Sequence, residues 1–250
     1  MRRGICLLEE VEFHPMNSRR PLEYLRWLTA YKKEDETLEP GRHVLTKGRS
    51  IRSRDIDLVG AFYAVGITGH PQFKVVTLWD CRGGWDGGWR QMLEIYTGVK
   101  ENLFLSSIDD LRFTAYSRPL GAAPGGPALA DATGAELFVL ESARVRPGAA
   151  LDYLAAVREE RVPLLADHGH RPVGLYEVLL CDTEVVTVWA TDLDSHLALQ
   201  RSYDAALGLD DEIDADERLL AWRKRAREFL DGTWRETLLS PYPGSRLAPA

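Results

Sequence analysis

Two glutamates break the apolar alternation of strand-like runs. Glu9 interrupts Ile5, Leu7, Val11 and Phe13, and Glu141 falls at the corresponding place of a later run, Glu136–Val145. A carboxylate set among apolar side chains has a raised pKa and can serve as a general acid or base. The alternative is a structural ion pair, for which Arg144 and Arg112 are candidate partners. Tyr63 and Tyr176, in the second strand-like run of each half, can donate hydrogen bonds, and His70 sits in the turn that follows the first of them. Glu9, Glu141, Tyr63, Tyr176 and His70 are therefore the expected catalytic set. Thr77, Trp79, Thr187, Trp189 and Trp85 are the expected ligand-lining set, since aromatic rings stack on an aromatic ligand; plain core packing is the competing reading for the tryptophans. The run Gly83-Gly84-Trp85-Asp86-Gly87-Gly88 lacks the lysine of a phosphate loop and reads as a lid.

Metal and cofactor signals are sparse. His168 and His170 flank Gly169 without an evident third ligand, so no metal is expected. His196, on a helical run, is the candidate axial ligand should a haem be bound; otherwise no cofactor is expected. No GxSxG, GxGxxG, P-loop or HExxH occurs.

The elements that must hold these residues occur twice. The first half reads as a strand at Cys6–Phe13, then a helix through Leu22, Leu25, Leu28 and Tyr31. Strands at Leu58–Ile67 and Phe73–Trp79 follow, then a helix over Trp89, Met92 and Tyr96 and a strand at Leu111–Ser117. Residues 42–56 suggest no element. A Pro/Gly/Ala-rich linker covers 121–134, separating halves 1–120 and 135–250. The second half reads as a strand at Glu136–Val145, a helix from Leu151 to Leu165 with Pro163 ending or kinking it, and strands at Pro172–Leu180 and Glu184–Ala190. A helix capped by Asp192 or Asp194, a helix from Arg218 to Leu230 and a strand at Trp234–Leu239 complete it.

Three pieces recur in the same order. Leu22-Glu23-Tyr24-Leu25 answers Leu151-Asp152-Tyr153-Leu154, Val59-Gly60-Ala61-Phe62-Tyr63 answers Val173-Gly174-Leu175-Tyr176, and Val75-Val76-Thr77-Leu78-Trp79 answers Val185-Val186-Thr187-Val188-Trp189. The fold class is α+β: two tandem ferredoxin-like βαββαβ units, packed sheet to sheet as an α/β barrel. Parity gives each third strand an aliphatic face (Val186, Val188, Ala190), assigned to the helices. The Thr/Trp face is assigned to a ligand chamber between the sheets. The first half, with its Trp/Gly run, is the expected specialised side of that chamber, around Tyr63, His70 and Trp85.

The stretches Glu141–Gly148, His168–Tyr176 and Val185–Trp189 resemble the NIPSNAP-like branch of the dimeric α/β-barrel superfamily, over about residues 135–240. The resemblance is weaker over 1–120, where His14-Pro15-Met16-Asn17 replaces the Pro-Gly turn. It implies a fold shared by cofactor-free monooxygenases, polyketide cyclases, haem proteins and proteins of other roles. The expected function is cofactor-independent oxygenation, cyclisation or isomerisation of an aromatic or polyketide-like metabolite. The alternatives are a non-catalytic binding or assembly module and a haem-binding protein.

Composition narrows the partners. The net charge of −7 argues against nucleic acid. The cluster Arg223, Lys224, Arg225 and Arg227 reads as a solvated helix face balanced by nearby acids. No apolar run approaches a membrane span. The first apolar run stops at Glu9, too early for a secretion signal, and the three cysteines have no CxxC spacing, so the cytoplasm is the expected compartment. A small-molecule substrate and a homodimer through spare edge strands complete the expectation.

Overall fold

Each half of the chain builds a four-stranded sheet with the same strand order. The structure, a computed structural model, describes residues 3–13, 19–29, 56–65, 73–90, 92–93, 114–127, 129 and 134–249. His70, the end of the expected helix at Tyr96 and the first residues of the strand expected at Leu111–Ser117 lie outside the described residues, as do residues 42–55, for which no element is expected. In the first half β1 (Ile5–Phe13), α1 (Arg19–Thr29), β2 (Ile56–Ala64), β3 (Phe73–Cys81) and β4 (Thr114–Ala122) give the order β4-β1-β3-β2. In the second, β5 (Leu137–Val145), β6 (Arg171–Val178), β7 (Glu184–Thr191) and β8 (Leu230–Pro241) give β8-β5-β7-β6. That is the ferredoxin-like order twice, in an α+β chain, as the repeat requires.

The compact units are Met1–Gly121 with Leu239–Ala250, and Ala122–Leu238. The C-terminal end thus leaves the half to which its place in the sequence assigns it. Leu239, Ser240 and Pro241 pair with Ala64, Tyr63 and Phe62 on β2, and the Tyr242 N–H donates to the Ala61 carbonyl at 2.8 Å.

The two second strands carry the same irregularity. Register shifts occur between Leu58 and Gly60 on β2, and between Pro172 and Gly174 on β6. In each the aromatic ring two residues on folds over the glycine: a Cβ on Gly60 would overlap the Phe62 ring, and one on Gly174 the Tyr176 ring. Phe62 is therefore the counterpart of Tyr176, which corrects the pairing of Tyr63 with Tyr176. Tyr63 lies opposite Val75 and Tyr176 opposite Val186, so the two tyrosines sit on non-equivalent faces.

In the second unit α2 (Ala150–Ala156) runs through a π-helical turn, Val157–Arg161, into α3 (Val162–Asp167). Pro163 stands at the start of α3 and has no N–H to continue an α-helical ladder; the Val162 N–H instead reaches back five residues to the Val157 carbonyl. α4 (Leu193–Ala206) is capped by Asp192, which accepts from the Ser195 N–H, and α5 (Glu217–Ala226) by Asp216, which accepts from the Arg218 N–H.

The core of this unit reverses the expected assignment of faces. Val185 and Trp189 pack with Tyr153, Leu154, Leu165, Leu199 and Trp222 from the helices. The Thr/Trp face of β7 is thus the helix face, and Val186, Val188 and Ala190, also buried, form the other. The first unit agrees, because Phe13, of the same parity as Glu9, packs edge-on against Tyr24 of α1 at 5.5 Å. The physical reason is that an indole offers the helices a large apolar surface while its N–H can reach an acceptor on the neighbouring strand. Fully burying a side chain such as Leu154 or Leu165 is worth about 1.5–3 kcal/mol, which is what fastens the helices to the sheet.

Candidate functional site

The acceptors for those indoles are the two glutamates. Trp79 Nε1 donates to Glu9 at 3.0 Å and to Thr77 Oγ1 at 2.9 Å, and Thr77 Oγ1 donates to Glu9 at 3.3 Å. Trp189 Nε1 donates to Glu141 at 2.9 Å and to Thr187 Oγ1 at 2.9 Å, and the Thr187 hydroxyl donates to Glu141. Register explains the match: Glu9 lies opposite Thr77 and Glu141 opposite Thr187, with the tryptophan two residues further along the same face.

The halves then diverge. Glu9 is half-buried and also accepts from Ser117 at 3.1 Å. Glu141 is enclosed and bidentate with Arg161, one arm at 2.7 Å. The π turn places that guanidinium, which lies over the rings of Trp234 at 4.7 Å, Trp189 at 5.3 Å and Trp222 at 5.8 Å. Burial alone would raise the Glu141 pKa, but the Arg161 charge and the bonds from Thr187, Arg161 and Trp189 outweigh it and hold it below the usual carboxylate range. The expected raised pKa is corrected: Glu141 is a fixed anion paired with Arg161 rather than Arg144, and Arg112 lies outside the described residues.

Beside this pair His170 and His196 face each other at 3.3 Å. His170 Nδ1 lies 2.9 Å from the His168 carbonyl, which can only accept, so Nδ1 carries the proton and Nε2 accepts from His196 Nδ1. Burial lowers the pKa of both, which favours the neutral rings. The cavity they share with Glu141, Arg161 and Tyr203 is only about 10 Å³, space for a single water. No porphyrin fits at His196. Among the described residues no group of three or more His, Cys, Asp or Glu is placed to hold a metal.

A larger space opens beside Trp234. A groove of about 550 Å³ is lined by Arg223, Arg227, Leu230, Gly232, Trp234 and Glu236. Glu236 Oε1 is 3.8 Å from the Arg161 guanidinium, and its side chain is 38% exposed. Burial, the Glu141 carboxylate and a hydrogen bond shared with it push Glu236 up to about 7, against the opposing pull of Arg161 and Arg223. The groove therefore contains a carboxyl that can give or take a proton at neutral pH, backed by a permanent anion–cation pair. Arg161 Nε and the indole nitrogens of Trp222 and Trp234, all buried around that pair, have no hydrogen-bond partner among the described residues. A site shaped only for stability leaves few such groups.

The expected residues are thus dispersed. Glu141, Thr187 and Trp189 come together as the wall behind the groove. Glu9, Thr77 and Trp79 form the equivalent cluster of the first unit. Tyr63 has its pKa raised by burial, and Tyr176 is buried over Gly174. Trp85 is 45% exposed and stacks edge-on against Trp89 at 5.4 Å in a π-helical turn, Trp85–Trp89. The groove lies in the second unit, whereas His70 lies outside the described residues. Sequence reasoning missed Arg161, Arg223, Arg227 and Glu236. Glu236 shares strand parity with Trp234 and Leu238, and so interrupts an apolar face just as Glu141 does. Arg161 interrupts the helical stripe Val157, Arg161, Leu165.

No family model matches the chain, and no curated protein matches its sequence. Solved structures do. An anthrone oxidase-like protein is 15% identical, with 100% of this chain and 97% of that chain covered and a TM-score of 0.60. A candidate monooxygenase from Lactobacillus acidophilus is 8% identical, with 96% and 94% covered and a TM-score of 0.55. A NIPSNAP-domain protein from Burkholderia xenovorans is 23% identical over 43% of this chain and 95% of its own, with a TM-score of 0.34. The whole-chain likenesses show a shared fold. Among the described residues no helix is long and apolar enough to cross a membrane.

Proposed function

We propose that the chain is a small-molecule enzyme that works by proton transfer at the groove of its second unit, with Glu236 as the acid–base group. The observation that carries this is a carboxyl poised near 7 in a groove of about 550 Å³. Oxygenation, cyclisation and isomerisation of a phenolic or polyketide-like aromatic can each begin with removal of an acidic proton to leave a delocalised anion. Glu236 takes that proton, and the Arg223 and Arg227 guanidiniums stabilise the anion. The name of the anthrone oxidase-like protein favours oxygenation among the three. There the substrate methylene and dioxygen give a ketone and water: the anion reduces dioxygen, a hydroperoxide forms on the same carbon, and water leaves.

Dioxygen uptake by the purified protein with an anthrone, followed across pH, tests the proposal. The expected rate rises through an apparent pKa near that of Glu236 and is lost in Glu236→Gln. An unchanged rate and pH profile in Glu236→Gln would sink it. A non-catalytic binding module is the second reading, favoured by how fully Arg161, Thr187 and Trp189 already occupy the Glu141 carboxylate. It predicts ligand binding at the groove with no turnover of any substrate of this class.

A further inference from the structure

The geometry points to a substrate class: an aromatic carboxylate, its ring on Trp234 and its anionic oxygens between Arg223 and Arg227. This rests on the reading of the groove as the working site. The basic run of α5 reads in sequence as a solvated face, yet its members differ in the structure. Arg225 holds Glu160 and Glu228, and Arg158, Arg201 and Arg218 of the same unit hold Glu159, Asp210 and Asp167. Arg223 and Arg227 hold no carboxylate among the described residues, and both line the groove.

Three further facts make the pair a receptor rather than spare charge. They are four residues apart, so one helix face presents both to the groove. The Arg223 guanidinium lies 4.1 Å over the Tyr203 ring, a contact that steadies it without using up its N–H donors. Trp234, the aromatic ring among the lining residues, is held by the Arg161 guanidinium 4.7 Å from its centroid. Two guanidiniums suit the two oxygens of a carboxylate, and a fixed indole suits a planar ring. The volume of about 550 Å³ falls within the range of small-ligand pockets, and a two- or three-ring acid would occupy much of it. A ring hydroxyl of such an acid would face the one carboxyl of the groove, Glu236.

Equilibrium titration of the full chain by tryptophan fluorescence and calorimetry, with naphthoate, naphthamide and cyclohexanecarboxylate, tests this. Naphthoate is expected to bind about tenfold more tightly than either analogue, and more weakly as salt rises. Arg223→Gln and Arg227→Gln should each erase the preference over naphthamide, and Trp234→Leu the preference over cyclohexanecarboxylate; circular dichroism confirms that each variant is folded. Equal binding of naphthoate and naphthamide, an affinity indifferent to both arginines, or no binding of naphthoate overturns the inference. Glu236→Gln keeps the two readings apart, because it should retain or tighten naphthoate binding. If that variant loses turnover of an anthrone while naphthoate does not bind, only the substrate class falls. If naphthoate binds through the arginines while Glu236→Gln turns over unchanged, only the acid–base role falls.

Discussion

Replacing Arg161 with methionine should be far more damaging than its exchange of one long side chain for another suggests. The guanidinium is enclosed, as is the Glu141 carboxylate it holds. Arg161→Met leaves that carboxylate with two donors, Thr187 and Trp189, and no opposing charge within bonding distance. Breaking one side of a buried pair costs about 3–5 kcal/mol. For a chain of this size each kcal/mol shifts the melting temperature by about 2–4 °C, so the loss should be about 6–20 °C. The pH dependence should invert as well. In the parent protein the folded-state pKa of Glu141 lies below its unfolded value, so its contribution is complete above about pH 4.3 and fades as pH falls through the folded pKa. In Arg161→Met burial dominates, the folded pKa rises above the unfolded one, and stability declines as pH rises through it. The double variant Glu141→Met/Arg161→Met should return to within about 1 kcal/mol of the parent, since buried pairs exchanged for apolar residues of similar volume are often neutral. Trp189 Nε1 keeps its bond to Thr187 Oγ1 in that variant. Urea unfolding and thermal melts across pH measure all three. A cost below about 1 kcal/mol for Arg161→Met alone, or no recovery in the double variant, would refute the account of the pair.

Gly174→Ala forces a Cβ into the Tyr176 ring and should cost about 1–3 kcal/mol in thermal unfolding; Gly60→Ala should cost a similar amount through Phe62. Trp189→Phe removes one donor to Glu141 while keeping most of the packing, and a loss of about 1–3 kcal/mol by urea unfolding is expected. Glu236, raised to about 7 in the folded state, contributes stability that is complete below about pH 4.3 and lost as pH rises through 7. Glu236→Gln should therefore flatten the melting temperature between pH 5 and pH 8, about the span of that titration, where the parent declines.

Much of the fold is legible in the sequence because duplication supplies an internal control. Val75–Trp79 and Val185–Trp189 are strands of the same place and register, and Asp192 caps its helix as its type predicts. The faces were harder, because parity sorts residues into two sets without naming what each set touches. Thr and Trp look like a polar lining until Glu141 is found to accept from both; the polar atoms then satisfy one another and the face becomes a core. The tyrosine pairing failed for another reason. Gly174 is the seat of the Tyr176 ring as Gly60 is of the Phe62 ring, and that contact, with the strand register, makes Phe62 the counterpart that the aligned Val-Gly pairs already imply.

Conservation of the Glu–Thr–Trp cluster between halves argues that the cluster itself is architecture. Its form in the first unit, Glu9 with Thr77 and Trp79, builds a strand pair in the same way. What the second unit adds to it is charge. Arg161 arrives through a π turn that Pro163 imposes, and its guanidinium organises three tryptophans and stands 3.8 Å from Glu236. Burial and the fixed negative charge of Glu141 then raise Glu236 towards neutrality, which a freely solvated glutamate would not reach. A structural cluster thereby sets the protonation of a group in the groove without touching anything bound there. Glu141 and Arg161 are in this sense positioning residues. Replacing the pair by methionines should leave the fold standing and drop the Glu236 pKa, since the repelling carboxylate is gone, unless loss of Arg161 offsets it. The shift of that pKa, read from the Glu236 carboxyl resonance by NMR, decides which neighbour dominates; Glu141 both repels the Glu236 charge and shares a hydrogen bond with its protonated form, so a fall is expected.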